Sequence, residues 1–307
     1  TIPVMKKTGY DKDFAGAVEA AASTGGQIMP PIMGAAAFLM AEMTELPYSV
    51  IATAAIFPAI LYFSGIFLMV HFEAKKVGLK GLPKDSIPNF FKLLLTKGYL
   101  FIPIIVLIVT MSVGYTASRA ACLAILASII VSMFRKDTRL TPGTFVDALE
   151  NGARNTIGVA AACSIAGIIV GIVSLTGIGL KLADGLLMLS GGIDILALFL
   201  TMIACIILGM GVPTTANYVI MATITAPIIL KLIPGTPVLA AHMFVFYFGI
   251  VADITPPVAL AAYAGAAISG GNPIRTGVIA TRLAIAAFII PYIFVLNPSM
   301  LLINTSI

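Results

Sequence analysis

The sequence predicts an all-α polytopic membrane protein, and three observations predict it. Of 307 residues, 60% are hydrophobic and only 10% charged, against roughly 45–50% and about 25% in soluble domains; mean hydropathy is +1.08. Apolar runs at 48–72, 99–113 and 193–208 reach or approach the roughly 17–25 residues that cross a bilayer as helix. Gly- and Pro-rich clusters also interrupt apolar sequence at membrane depth, where irregular backbone survives only packed in protein or lining a cavity.

The net charge of +5 sits in segments flanking the apolar runs, as the anionic inner face of a membrane favours, which argues against nucleic acid as a partner. Cys122, Cys163 and Cys205 lie inside apolar segments at no ligand-like spacing and read as small buried hydrophobes. The chain opens at Thr1, inside what proves to be a motif and with no basic segment or cleavage site, so a fragment of a longer protein is expected.

In chain order, a short helix over 14–24 is followed by a break at Gly25-Gly26-Gln27-Ile28-Met29-Pro30-Pro31 and a second short helix over 32–43. Neither half spans a bilayer. A kinked span over 49–72 contains Pro58, and the hydrophilic connection 73–97 carries six lysines; the positive-inside rule makes it cytoplasmic. Spans over 99–113 and 116–134 return the chain to Arg135-Lys136-Asp137-Thr138-Arg139, again cytoplasmic after an even number of crossings. Thr144 and Asp147 resemble a capping box, and Asp147, Glu150 and Arg154 share one stripe of an interfacial helix leading into a span over 156–175. Apolar segments over 179–189 and 193–208 approach the turn Gly209-Met210-Gly211-Val212-Pro213-Thr214-Thr215. A helix over 216–232 then leads to a second broken pair, 238–252 and 257–268, interrupted at Asp253-Ile254-Thr255-Pro256-Pro257.

The two interrupted regions match in order and spacing. Thr1-Ile2-Pro3-Val4-Met5 aligns with Thr225-Ala226-Pro227-Ile228-Ile229, each Pro-Pro follows at nearly the same interval, and each is followed by an Ala-rich half-helix and another apolar span. One unit, of hairpin arm, broken helix and spanning helix, is used twice. Such paired interruptions are the best sequence pointer to a secondary transporter's binding site. Ordinary Pro kinks in a duplicated bundle are the plainer alternative, but they do not account for polar residues at the breaks.

A broken helix exposes carbonyls at the end of its first half and amides at the start of its second, so one break can hold a cation and face an anion. Carbonyls near Ser23, Thr24, Gly25 and Gly26 form one candidate cation site; those near 250–252, with the Thr255 hydroxyl, form another. Gln27 and Asp253 occupy the same position, three residues before each Pro-Pro. An acid at membrane depth is by default a functional hypothesis, the alternative being an interfacial N-cap. The Thr214 and Thr215 hydroxyls either cap the following helix or join Asn217 in facing a ligand. Glu19, Glu42, Glu45, His71 and His242 carry no assignment, and Arg275 and Arg282 read as anchors of the last span. No nucleophile elbow, metalloprotease helix, paired Cys ligands or phosphate loop is present, so the chain reads as no enzyme and as needing no cofactor.

Three motifs, Glu19-Ala-Ala-Ala-Ser-Thr-Gly-Gly-Gln-Ile-Met-Pro-Pro-Ile-Met-Gly-Ala-Ala-Ala-Phe38, Gly209-Met-Gly-Val-Pro-Thr-Thr215 and Ala252-Asp-Ile-Thr-Pro-Pro-Val-Ala-Leu-Ala-Ala-Tyr263, resemble the large membrane subunit of tripartite ATP-independent periplasmic (TRAP) transporters, most closely its TAXI branch. The resemblance covers essentially the whole chain. It implies an elevator-type permease of the bacterial or archaeal cytoplasmic membrane with two inverted repeats, driven by Na⁺ or H⁺. A periplasmic substrate-binding protein would deliver the substrate, typically an organic acid, and a small membrane subunit, separate or fused, would complete the permease. Carried over by position, it implies cation ligands at Gly25, Gly26 and Met29 and at Gly209, Pro213, Thr214 and Thr255. It places substrate near Gln27, Thr215, Asn217 and Asp253. The corresponding division is 1–43 (first hairpin arm and broken helix), 44–142 (spanning helices and cytoplasmic connection, scaffold-like), 143–208 (interfacial arm and spans), 209–270 (second hairpin and broken helix) and 271–307 (last span). The competing reading is an uncoupled channel or scaffold component.

Overall fold

The computed structural model describes residues 1–81, 89–134 and 138–303, and every regular element among them is helical. Two compact units result: residues 1–80 with 162–307, and residues 81–161. The expected basic turn at Arg135, Lys136 and Asp137 lies outside the described residues, as does the middle of the lysine-rich connection.

In the first unit the chain runs through α1 (Ile2–Thr8), α2 (Lys12–Gly25), α3 (Ala35–Thr44) and α4 (Tyr48–Val77). The Asp11 carboxylate caps α2 through the amides of Asp13 and Phe14, and Gly9, at φ 103°, ends α1 in the left-handed conformation that glycine adopts without penalty. Pro58 lies within α4, which continues five residues beyond the expected span and ends at Gly78. The second unit holds α5 (Phe90–Lys97), a 3₁₀ turn at Gly98–Phe101, α6 (Ile102–Ser112) and α7 (Ala117–Ser132). There α6 and α7 form an antiparallel pair.

α8 (Pro142–Thr176) is one continuous helix rather than an interfacial arm joined to a span. Its start is capped one turn earlier than the sequence suggests. The Thr144 amide donates to Thr141 Oγ1 at 3.3 Å and the Thr141 amide to Thr144 Oγ1 at 2.8 Å, so the reciprocal box is Thr141–Thr144 and Asp147 is free to lie on the exposed stripe. On that stripe Arg154 pairs with Glu150 at 2.7 Å.

The first unit resumes at residue 162, within α8, and continues with α9 (Ile178–Ser190), α10 (Asp194–Gly209), α11 (Thr214–Ile224), α12 (Ala226–Leu232), α13 (Val238–Ala252), α14 (Leu260–Ser269), α15 (Pro273–Leu283), α16 (Ile285–Leu296) and a 3₁₀ turn at Pro298–Leu301. The single helix expected over 216–232 is two, parted at Thr225, because Pro227 has no N–H to continue the ladder. α13 is the centre of the unit: every residue from Leu239 to Ala252 is buried, as a helix apolar on all sides requires. Cys205 is buried as expected, whereas Cys122 is exposed. Among the described residues, four stretches are long and apolar enough to cross a bilayer: 48–77, 91–111, 214–232 and 273–296.

The duplication is visible element by element. α1 and α12 each have seven residues, start after a Thr and carry Pro in the first two positions; α2 and α13 have 14 and 15; α3 and α14 have ten each. The copies run in opposite senses. At the foot of α2, Asp11 lines a cavity with Met69, Glu73 and Lys76, the last turns of α4. Leu239, at the start of α13, lines another with Ser49, Val50, Thr53 and Ala54, the first turns of the same helix. α4 has 30 residues and is therefore about 45 Å long, so the two broken helices enter from opposite ends of one spanning helix.

Candidate cation and substrate site

Each broken helix unwinds through the same backbone pattern. In the first, the amides of Gln27, Ile28 and Met29 donate to the carbonyls of Thr24, Gly25 and Gly26 at 3.1, 3.1 and 3.4 Å. In the second, Asp253, Ile254 and Thr255 donate to Ile250, Val251 and Ala252 at 3.2, 3.1 and 3.4 Å. Each loop then closes on the residue that opened it, Gly34 N–H to the Gln27 carbonyl and Ala261 N–H to the Asp253 carbonyl, both at 2.9 Å. Gln27 and Asp253 are thus structural equivalents. Both Pro-Pro bonds are cis, and a tyrosine hydroxyl reaches the second proline's carbonyl in each loop: Tyr48 to Pro31 at 3.0 Å, and Tyr263 to Pro257. Every carbonyl from Thr24 to Gly26 accepts one bond and keeps one lone pair.

At the first break Gly25 is buried against the ring of Tyr62, whose position a Cβ on Gly25 would occupy, and the Tyr62 hydroxyl donates to the Ala21 carbonyl at 2.8 Å. The Gln27 side-chain oxygen lies against Gly34, which opens α3. Gly26 is exposed, and Gln27 and Met29 are half-buried.

At the second break the structure brings four of the expected residues into one group. α10 ends at Gly209, where an added Cβ would lie 2.7 Å from Asn217 Nδ2 and 3.0 Å from the Ala252 Cβ; only glycine lets the hairpin tip close onto α13. Asn217 is fully buried. Its Nδ2 donates at 2.9 Å to the Gly249 carbonyl, while its Oδ1 has no hydrogen-bond partner. Thr214 Oγ1 donates to Asp253 Oδ2 at 3.3 Å. The capping alternative for Thr214 is therefore not realised: α11 starts after Pro213 without a side-chain cap. Nor is Asp253 an N-cap; it follows the last residue of α13. Thr255 turns its hydroxyl back to the Val251 carbonyl at 2.8 Å, and Thr215 is half-buried beside the exposed Pro213. The second hairpin and the second break are thus joined by side chains, whereas the first break forms its own group. α3, which continues from the first break, packs against α11 and α13.

The polar groups at this junction, an orphaned amide oxygen, a carboxylate, a hydroxyl and helix-terminal carbonyls, are all oxygen donors, the kind that suits a hard cation rather than a thiophilic or imidazole-seeking metal. The sequence pattern did not single out Tyr62, Tyr48 or the buried pair Tyr218–His242, in which Tyr218 Oη and His242 Nδ1 are 2.7 Å apart. Their partners are 17 to 41 residues away in the chain, and no local spacing announces such pairs.

The family model described as "Tripartite ATP-independent periplasmic transporter, DctM component" matches residues 1–307. The chain belongs to this family. It is a DctM-type component of a membrane transport system, a transporter permease rather than an enzyme. A curated relative, the "Isethionate TRAP transporter permease protein DctMQ" of Oleidesulfovibrio alaskensis, is 27% identical over 276 residues, covering 89% of this chain and 42% of that protein. This chain thus spans about two fifths of the length of that DctM relative.

Proposed function

We propose that this chain is the transport-bearing part of a secondary permease that uses a Na⁺ or H⁺ gradient to import an organic acid handed over by a periplasmic binding protein. The observation that carries the reading is the buried, unpartnered Asn217 Oδ1 at the junction of the second hairpin with the second broken helix. An unpaired buried acceptor costs about 1–3 kcal/mol, and a cation drawn from solution offsets that cost. Gly209 packs against the Asn217 side chain, and the Thr214–Asp253 pair ties the same hairpin to the same break. Gly25, Gly26 and Met29 form the counterpart at the first break, with Pro213 and Thr255 completing the second. Gln27 and Asp253, half-buried at the two breaks, and Thr215, half-buried at the second hairpin, face the substrate.

Coupling follows from differential binding. A ligand shifts a conformational equilibrium only by its difference in affinity between states. If cation and substrate both complete the closed hairpin and broken helix, the loaded body crosses the membrane more readily than the half-loaded one. Oppositely directed repeats suit an elevator movement of residues 1–43 and 209–270 against the spanning helices. The DctMQ relative is named for isethionate, a small organic anion; a small membrane subunit, separate or fused, is part of the proposal here, as are the TAXI branch and the cytoplasmic membrane. Uptake by the complete permease in proteoliposomes, with and without ion gradients and binding protein, tests the reading. Accumulation indifferent to every gradient would leave the uncoupled channel or scaffold reading in its place.

A further inference from the structure

At the end of α4 that the positive-inside rule places in the cytoplasm, a cavity of about 360 Å³ opens between α2, α4 and α15. Its polar lining is Lys76, Arg275 and Arg282 with Asp11 and Glu73; its apolar walls include Phe14, Met69, Ile279 and Leu283. The two carboxylates are already engaged. Asp11 caps α2, and Glu73 lies 3.8 Å from Lys76. Arg275 spends one nitrogen on the buried Asp13, at 3.2 Å, and its side chain stays 66% exposed with donors to spare. Arg282 is exposed and, among the described residues, makes no ion pair.

With Lys76 turned to Glu73, two guanidinium groups beside an apolar wall match the chemistry of a phosphodiester attached to acyl chains. Arg is the side chain best suited to bidentate phosphate binding. Basic pockets between spanning helices on the cytoplasmic side are where lipid headgroups are held. We infer that this cavity binds the headgroup phosphate of an anionic phospholipid from the cytoplasmic leaflet, with Arg282 as its principal ligand and the apolar wall against the upper acyl chain. A free phosphate ion shares the charge but has nothing to place on Phe14, Met69, Ile279 and Leu283.

The test uses the complete purified permease. Thermal unfolding is followed in detergent with phosphatidylglycerol, phosphatidylcholine or inorganic phosphate added, for the wild type and for Arg282→Gln, which alters an exposed, unpaired side chain. Native mass spectrometry counts retained lipid. The expected result is a saturable stabilisation by phosphatidylglycerol exceeding that by phosphatidylcholine, no shift with phosphate, and at least tenfold weaker phosphatidylglycerol dependence in Arg282→Gln with unchanged lipid-free melting. Equal lipid dependence and lipid retention in variant and wild type would overturn the site. A shift of equal size with inorganic phosphate would overturn the lipid assignment.

Discussion

The hydroxyl of Thr214 donates to the carboxylate of Asp253 across 3.3 Å, tying the tip of the second hairpin to the interruption of the second broken helix. Thirty-nine residues separate them in the chain. The bond makes one polar group of two segments that each carry unsatisfied helix-terminal groups, and it leaves the second carboxylate oxygen available to a cation. Asp253→Asn keeps an acceptor for Thr214 while removing the charge. The expected outcome is normal folding with at least tenfold weaker activation by the coupling cation, which corresponds to about 1.4 kcal/mol. Cation titration of uptake reads it directly; an unchanged half-saturation would show that the charge plays no part.

Asn217 has two roles that one variant separates. Its Nδ2 satisfies the Gly249 carbonyl, which the unwinding at Asp253 leaves without its helical donor, and its Oδ1 has no hydrogen-bond partner, which suits the proposed cation. Asn217→Ala should lower stability by about 1–3 kcal/mol in the absence of cation. It should also abolish the stabilisation that the proposed site predicts for the wild type at saturating cation, about 2.7 kcal/mol at a hundredfold excess over Kd. Melting curves with and without NaCl, against choline chloride as control, distinguish the two effects.

Gly25 and Tyr62 form a packed pair at the first break, where the ring fills the place of a Cβ. Gly25→Ala should cost about 1–3 kcal/mol through overpacking, and Tyr62→Phe about 1 kcal/mol through the lost bond to Ala21. In a double-mutant cycle, Tyr62→Leu with Gly25→Ala should be coupled by more than about 0.5 kcal/mol. Additive losses would place the two residues out of contact.

Gly16 on α2 crosses Gly265 on α14, so that an added Cβ at Gly16 would lie 2.8 Å from Ser269 Oγ and 2.9 Å from the Gly265 carbonyl. Such small-residue crossings let spanning helices approach closely. Gly16→Ala should destabilise, whereas Gly171→Ala, in α8 with nothing within 4 Å, should be neutral or stabilising by up to about 1 kcal/mol through helix propensity. Thermal unfolding of the two purified variants gives the comparison; the opposite order would contradict the crossing.

The membrane class, both interruptions and the duplication were legible because each rests on local composition or on spacing along the chain. Pro3 and Pro227 aligned correctly, and their helices have equal lengths. The equivalence of Gln27 and Asp253 was legible too, and their matching hydrogen bonds bear it out. What composition could not convey was orientation. That the copies enter from opposite ends of α4 depends on which turns of that helix meet Asp11 and which meet Leu239, a long-range fact. The capping box lies one turn earlier than the Ser/Thr-x-x-acid pattern indicates, because the Thr144 hydroxyl takes the place of the acidic acceptor and Pro142, at the first helical residue, sets the start of the helix. Tyr62, Tyr48 and His242 stayed silent because a buried hydroxyl or imidazole looks like any other core aromatic until its distant partner is known.

The most direct test of the central claim is substrate accumulation in proteoliposomes containing the complete permease and its binding protein, under an inward Na⁺ gradient, an inward proton gradient, or neither. The account predicts accumulation above equilibrium under one of the two gradients, dependent on the binding protein and suppressed by Asp253→Asn. Equilibration at the same rate and to the same level under all three conditions would contradict it.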